Sequence, residues 1–234
     1  MPCGLFGKLP AKRDFIALNA PAAFLTPYEA WLQGGLTASR LALGQRWQEA
    51  YLNAPIWRFW LGGAHGGHSV AGAFMPSVDA IGRYFPLTVF GTASRGTAIP
   101  PPELDPQDAW FEAIEDFLLH ALEPEASYDI VSQRLAALPD PHDRHLASPP
   151  RDMARLPDGT IVSAAAGPGF PERLAALRVE DHAKAYAHAC YLWTAGGPNF
   201  EPLTLAGYAL PDPHLFSGLL TGRFDTFLEP ERRE

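Results

Sequence analysis

Residues 56–75, IWRFWLGGAHGGHSVAGAFM, consist of two short apolar segments joined by a glycine-rich connector. Ile56 to Leu61 and Ser69 to Met75 are both rich in residue types that favour β-strands. The connector, GGAHGGH at 62–68, has the length expected of a hairpin loop, so the two strands are predicted to pair in antiparallel orientation. At least part of the sheet should therefore be antiparallel.

Five further segments share these features, being short, rich in β-formers and bounded by Gly or Pro. They are Gly4 to Leu9, Leu87 to Thr92, Ile161 to Ala165, Cys190 to Thr194 and Leu203 to Tyr208. Helical patterns separate several of them along the chain. We therefore predict an α/β fold with a central mixed, partly antiparallel sheet that is covered by helices.

The first helix is predicted from a start signal at Thr26. Thr26 is a suitable N-cap, Pro27 suits the first helical position, and Glu29 follows the cap by three residues. The helix should run from Pro27 to Leu43. Its buried side is predicted from apolar residues at helical spacing, namely Phe24, Tyr28, Trp31, Leu32 and Leu36.

Three later helices are predicted from proline positions and apolar spacing. Asp105-Pro106 repeats the cap-and-proline signal, and a stripe with spacings of three and four follows it. That stripe consists of Trp110, Phe111, Ile114, Phe117, Leu118 and Leu122. A further helix should follow Pro171, and Asp212-Pro213 should open a short last one. We expect the tryptophans of the chain to belong mainly to the core.

The segment Leu138 to Gly159 is rich in proline and is predicted to be an irregular loop. It is longer than most loops inside a compact domain, and it could link a larger N-terminal part to a smaller C-terminal part. The residues after it would form only a marginal core on their own. We therefore predict a single domain over residues 1–234 with an elaborated loop at 138–159.

The charge and cysteine content exclude several classes of protein. Lys and Arg number 18 against 26 Asp and Glu, giving a formal net charge of −8, so no nucleic acid or anionic membrane partner is expected. Cys3 and Cys190 have no metal-binding or redox spacing, which fits a reducing compartment. The N-terminus lacks a secretory signal and no apolar segment could span a bilayer. We predict a cytoplasmic protein with no membrane insertion.

Common signatures of enzymes and metal sites are missing. The sequence contains no phosphate-binding loop, no GxGxxG turn and no GxSxG nucleophile turn. Two histidine pairs, His65 with His68 and His142 with His145, have no obvious further ligands, whereas catalytic zinc generally takes three protein ligands. We predict surface histidines, no metal and no cofactor.

Polar residues near turns and aromatic residues form the candidate site. The set is Lys8, Lys12, Asp14, Ser39, Arg40, Arg58, Ser77, Asp79 and Arg83. In one interpretation Asp79 pairs with Arg83, Gly82 permits a left-handed turn, and Tyr84 and Phe85 are buried beneath. In the other, the same charges border a groove or a protein-docking surface.

Several motifs occur in an order that resembles one known family. They are GLFGKLPAKRDF at 4–15, Trp31-Leu32, Ser39-Arg40, AYLNAPIWRF at 50–59, PSVDAIGRYFP at 76–86 and YLWTAGG at 191–197. The sequence resembles the TagF family, also called ImpM, of accessory proteins of the bacterial type VI secretion system. The resemblance is densest over residues 4–90. Arg13 stands where the family favours glycine, which disfavours a positive φ at that position.

The resemblance implies a three-layer α/β/α sandwich and a regulatory role without enzymatic activity. It implies that the protein represses type VI secretion after translation, by binding a forkhead-associated scaffold or a related component. It also implies a functional link to a threonine kinase and a phosphatase. Some relatives are fused to the phosphatase, and here we expect it to be a separate protein.

Two alternatives to a repressor stay open from the sequence. One is an uncharacterised hydrolase or transferase with a polar cleft around Asp14, Ser77, Asp79 and Arg83. It would gain support from a basic group against a serine or cysteine with an oxyanion site nearby, and would lose it if Asp79 and Arg83 proved to be buried and mutually satisfied. The other is a structural adaptor with no regulatory output.

Overall fold

The computed structural model describes residues 2–145, 153–158, 160–163, 173–175, 177–178 and 181–224. Its strands, in chain order, are β1 (Gly4–Gly7), β2 (Ile16–Leu18), β3 (Trp57–Leu61), β4 (Val70–Met75), β5 (Leu87–Thr92), β6 (Thr97–Ala98), β7 (Arg144–His145), β8 (Met153–Arg155), β9 (Ile161–Ser163), β10 (Cys190–Thr194) and β11 (Leu203–Gly207). The α-helices are α1 (Ala22–Leu43), α2 (Trp47–Leu52), α3 (Asp108–Ala121), α4 (Tyr128–Ala137), α5 (His182–Ala185) and α6 (Phe216–Thr221). Short 3-10 helices are Gly44–Arg46, Gly63–His65 and Pro213–Leu215.

Seven strands form the central sheet, in the order β11-β10-β3-β4-β5-β1-β2. The predicted hairpin is confirmed, because β3 pairs with β4 from Leu61 opposite Val70 to Trp57 opposite Phe74. All six pairs of neighbouring strands are antiparallel. The α/β class is confirmed. A mixed sheet would also contain parallel pairs of strands, and that part of the prediction is wrong for these seven strands. Short turns at 62–69 and 76–86 reverse the chain, and reversal gives antiparallel neighbours.

Side chains alternate along each strand and enter two different core clusters, each of which also contains helical residues. In β4, Ala71, Ala73 and Met75 belong to a cluster that also contains the buried side of α3 and residues of α4. Val70 and Phe74 belong to a second cluster, which contains buried residues of α1, α2 and α6. Because both alternating sets of side chains are buried, the strand sequences are almost continuously apolar.

Helix α1 begins five residues before its predicted start. Its N-cap is Pro21, and Pro27 lies inside the helix, so the predicted cap at Thr26 is wrong. The extra turn buries Phe24, whose ring lies 4.9 Å from that of Tyr28 and 4.7 Å from that of Phe90, measured between centroids. Burial of the Phe24 ring stabilises helical structure in the residues before Pro27, where the capping signal at Thr26 predicts no helix.

The other helix predictions are confirmed with shifted boundaries. Helix α3 starts at Asp108 rather than directly after Pro106, and its predicted stripe is buried except for the half-buried Leu122. Residues 173–175 and 177–178 are helical, although Pro171 lies outside the described residues. Asp212 accepts a hydrogen bond from the backbone N–H of His214 and caps the last 3-10 segment, which α6 then follows.

Several elements escaped the sequence prediction, among them α2, β2, β6 and α4. Strand β2 has only three residues, and α4 has a weak apolar pattern with Val131 and Leu135 buried. Within 138–159, predicted to be irregular, the described residues include β7, which pairs with β6, and β8, which pairs with β9. Of the strand predicted at Ile161 to Ala165, the part described ends at Ser163. No helix in the described parts of the chain is long and apolar enough to cross a membrane.

Four tryptophan side chains join distant parts of the core. Trp31, Trp57, Trp60 and Trp110 are all buried, as predicted. The indole N–H of Trp31 donates to the carbonyl of Pro211 at 2.8 Å, and that of Trp57 to the carbonyl of Leu219 at 3.0 Å. These bonds fasten the C-terminal segment onto α1 and β3.

Helices α1 and α6 meet at a glycine, and this contact gives a first prediction. A Cβ atom added at Gly35 would lie 2.3 Å from the Phe216 ring, whereas one at Gly34 would lie 3.3 Å from Pro213. We expect Gly35→Ala to lower the free energy of unfolding by about 1–3 kcal/mol through overpacking. Gly34→Ala, the matched control, should change it by less than about 1 kcal/mol, because helix propensity offsets the milder contact.

Urea denaturation of both variants would measure these changes. Equal effects of the two substitutions would contradict the close packing of α1 against α6.

Candidate functional site

The 76–86 turn connects β4 to β5 and is closed by its own backbone. Val78 and Tyr84 form an antiparallel bridge, and the N–H of Gly82 donates to the carbonyl of Asp79 at 3.0 Å. Gly82 has φ 83°, a conformation that favours glycine. The turn therefore has a fixed shape with Asp79 at its centre.

The Asp79 carboxylate accepts four hydrogen bonds. Oδ2 accepts from Lys8 Nζ at 2.5 Å and from Arg83 Nε at 2.7 Å. Oδ1 accepts from the backbone N–H groups of Ile81 at 3.1 Å and Arg83 at 2.9 Å. The side chain of Asp79 is 0% exposed and that of Lys8 is 5% exposed. Both charges are paired and out of solvent, as buried charges generally need to be.

Further bonds join the segment after β1 to the turn. Ser77 Oγ donates to the carbonyl of Lys8 at 2.7 Å, and the N–H of Ala80 donates to the carbonyl of Lys12 at 3.1 Å. The Arg83 guanidinium also donates to the carbonyl of Arg13. Arg13 does not adopt a positive φ, so the chain at this position does not need the conformation that favours glycine. Residues 8–15 and 76–86 thus form one surface, which we call the Asp79 loop pair.

Tyr51 of α2 supports the loop pair from inside, a role that the sequence interpretation missed. Its hydroxyl donates to the carbonyl of Ser77 at 3.0 Å and accepts from the N–H of the same residue at 3.1 Å. The Tyr51 ring packs against Trp47 and Tyr84. Tyr51, in the motif at 50–59, therefore supports Ser77, in the motif at 76–86, across a separation of 26 residues in the chain.

Ser39 and Arg40 act through Trp47. Ser39 Oγ accepts from the Trp47 indole N–H at 2.9 Å, and the Arg40 guanidinium lies 4.3 Å from the centroid of the Trp47 ring. The Trp47 ring in turn contacts Tyr84. These two predicted site residues are thus joined to the loop pair indirectly, through aromatic packing.

Three predicted site residues have their side chains outside the Asp79 network, although Lys12 and Asp14 lie in the loop pair. Arg58 lies on the opposite face of the sheet and makes a bidentate pair with Glu115 of α3, with N–O distances of 2.6 and 2.8 Å. Lys12 stacks its ammonium group 4.1 Å from the centroid of the Tyr128 ring. Asp14 is exposed. The predicted set is therefore not one cluster.

Two exposed apolar side chains in the loop pair were also missed. Phe15 is 49% exposed and Ile81 is 55% exposed. Phe15 packs against Phe85 at 4.8 Å between centroids, which leaves its outer edge accessible. In the sequence, Phe15 and Ile81 are only large apolar residues beside charged ones. Buried residues occur in the same pattern, so the sequence did not predict that these two are exposed.

Ionisation in the site is set by competing effects. Burial opposes the charged form of Asp79, but hydrogen bonds from Lys8, Arg83 and the Ile81 N–H outweigh it, so the pKa of Asp79 lies well below its ordinary value of 3.8. Burial raises the pKa of Cys3 to about 11 and that of Cys190 to about 12. Both thiols are therefore protonated at neutral pH and are poor nucleophiles.

The arrangement gives little support to nucleophilic or metal chemistry. The hydroxyl of Ser77 donates to a backbone carbonyl, and the Asp79 carboxylate is occupied by four donors. Across the described ranges, no group of three or more His, Cys, Asp or Glu side chains has the geometry to hold a metal ion. The geometry favours a rigid surface over a reactive centre.

Comparison with known proteins defines the family. Residues 4–138 match the model of the TagF N-terminal domain, described as type VI secretion system-associated. Because this match covers more than half of the chain, the protein belongs to that family of secretion-associated proteins. The crystal structure of PA0076 from Pseudomonas aeruginosa PAO1 is similar, with a TM-score of 0.77, 34% sequence identity and 97% of each chain covered. No curated protein matches the chain.

Neutralising Asp79 should destabilise the protein. Asp79→Asn leaves Lys8 buried without its counter-charge, and we expect the free energy of unfolding to fall by about 3–5 kcal/mol. Asp14→Asn, an exposed neighbour, should change it by no more than about 0.5 kcal/mol. Chemical denaturation at neutral pH measures both, and equal effects would show that the ion pair contributes little.

The Asp79 interaction should also depend on pH. The pKa of Asp79 is lower in the folded than in the unfolded state, so its contribution to stability is fully present above its ordinary value of 3.8 and is lost as the pH falls below that value. The stability difference between the native protein and Asp79→Asn should therefore shrink in denaturation series below pH 3.8. A difference that stayed constant in acid would refute this assignment.

Proposed function

We propose that this protein is a non-enzymatic accessory regulator that represses type VI secretion after translation, by binding a forkhead-associated scaffold or a related component. The observation that carries the proposal is the type VI secretion-associated family domain over residues 4–138. The family suggests the secretion system as the setting, and the rigid Asp79 loop pair suggests recognition of a protein partner.

The contacts within the loop pair support recognition in a specific way. Lys8, Ser77 and Asp79 are buried and bonded to one another or to backbone, so they shape the surface from beneath. Phe15 and Ile81 project from it beside exposed cationic side chains. Aromatic, apolar and arginine side chains that are held rigidly are suitable anchors for a partner.

The remaining features of the proposal come from the family and from composition. We propose a three-layer α/β/α arrangement, supported by the helices on both faces of the sheet. We further propose a cytoplasmic location and a functional link to a separate threonine kinase and phosphatase. Nucleic acid and membrane partners are not expected for a chain with a net charge of −8.

A hydrolase or transferase at the same site is the weaker alternative. Such an enzyme needs a nucleophile with an adjacent base and an oxyanion site. Asp79 is instead buried between Lys8 and Arg83 and bonded to both. The carboxylate thus has the role expected of a structural ion pair.

Secretion and binding measurements test the proposed function together. Deleting the gene under repressing conditions should raise the amount of secreted tube protein, and overproduction should lower it. The purified chain should bind the purified scaffold in calorimetry. Unchanged secretion in both strains would count against repression, while changed secretion without binding would favour a different partner.

Two surface variants locate the contact. Ile81→Asp and Arg13→Glu should each weaken scaffold binding at least about tenfold, the effect of losing one interface anchor. The matched controls are Leu119→Asp, which is also 55% exposed but lies on α3, and Arg95→Glu, beyond the far end of β5. If the controls weakened binding equally, the loop pair would not be the contact surface.

A further inference from the structure

A groove between α3 and α4 shares no lining residue with the Asp79 loop pair, although Lys12 of the loop pair contacts Tyr128 at the start of α4. It consists of two adjoining depressions, of about 130 and 290 Å³, that share Phe117, His120 and Arg134 as lining residues. Phe117 is nearly buried and forms an apolar floor with Val131 in the smaller depression. Ile130, on the rim, is 44% exposed. The two helices therefore leave an unfilled apolar strip between them.

The surroundings of this groove are strongly acidic. Residues 96–133 contain nine Asp and Glu residues and neither Lys nor Arg. Some of these charges are used internally, as Glu115 is by Arg58. Asp116, Glu123 and Glu125 line the groove itself and are exposed to solvent. Besides these three acidic residues the lining contains one arginine, Arg134, and one histidine, His120, so its net charge is negative.

The dimensions of the groove disfavour a small-molecule ligand. Pockets for drug-sized ligands have volumes of roughly 300–1,000 Å³ and enclose most of the ligand. The smaller depression lies well below this range and the larger only reaches its lower end, and both are open to solvent between the two helices, so neither encloses a ligand. Each could accept one apolar side chain, and the two side chains would belong to neighbouring positions of one segment.

We propose that this groove binds a basic amphipathic helix of a partner protein. Residues at i and i+3 or i+4 of a helix lie on one face, roughly 5–6 Å apart, and would place apolar side chains in the two depressions. Lysine or arginine on the flanks of that helix would face Asp116, Glu123 and Glu125. The inference is independent of the proposed repression, because it uses neither the loop pair nor the scaffold.

A synthetic probe tests the groove directly. The probe is a labelled peptide of about 15 residues with leucine at i, i+3, i+4 and i+7 and lysine elsewhere, long enough for partial helicity. Its control has the same composition in scrambled order. In ¹⁵N NMR spectra of the full chain, the probe should shift amide signals within 113–138, and the scrambled peptide should not. Shifts outside α3 and α4, or equal binding of the scrambled peptide, would overturn the proposal.

Variants separate apolar from charge recognition. Ile130→Glu should weaken probe binding at least about tenfold, and the double variant Asp116→Lys with Glu123→Lys should also weaken it and reduce its salt dependence. The matched controls, Leu41→Glu and the double variant Glu49→Lys with Glu201→Lys, should stay within about twofold of the native protein. Equal losses in the controls would mean non-specific adhesion and would refute the site.

A second copy of the chain is the competing occupant. Sedimentation velocity on the native protein and on Ile130→Glu distinguishes it from a foreign helix. A monomer in both cases supports the proposal, whereas a dimer that Ile130→Glu dissociates would overturn it in favour of self-association through this groove.

Discussion

The structure around the candidate site depends on one carboxylate. Asp79 receives two side-chain donors and two backbone donors, and these come both from its own turn and from Lys8, 71 residues earlier in the chain. Since β5 pairs with β1, the ion pair joins the end of β1 to the turn that precedes β5. A buried ion pair gains little net free energy over apolar residues of similar volume, but removing one partner is costly because it leaves the other charge buried and uncompensated.

This constraint separates two kinds of polar residue that look alike in the sequence. Lys8, Ser77 and Asp79 are buried and bonded within the loop pair. Arg13 contributes only its backbone carbonyl to these bonds, and its side chain is exposed to solvent. Residues of a family motif can therefore be needed for the local fold without contacting a partner themselves. The outward-facing side chains beside the motif are the better candidates for recognition.

Much of the fold was predictable because its signals are local. The β3–β4 hairpin, the apolar stripe of α3, and the Asp79–Arg83 pair with Gly82 in a left-handed conformation all follow from short stretches of sequence. Other features depend on contacts between distant residues. The early start of α1 rests on burial of Phe24, and the support of Ser77 by Tyr51 required knowing the strand order.

Strand order has a consequence for where this protein can be divided. The family model matches residues 4–138, yet β10 pairs with the outer edge of β3, and α6 packs against α1. A chain cut at residue 138 would leave that β3 edge without its partner and would hydrate the indole rings of Trp31 and Trp57, whose acceptors are Pro211 and Leu219. The end of the family match is thus not an end of the packed core, because β10 and α6 complete the part of the sheet and its cover that residues 4–138 begin.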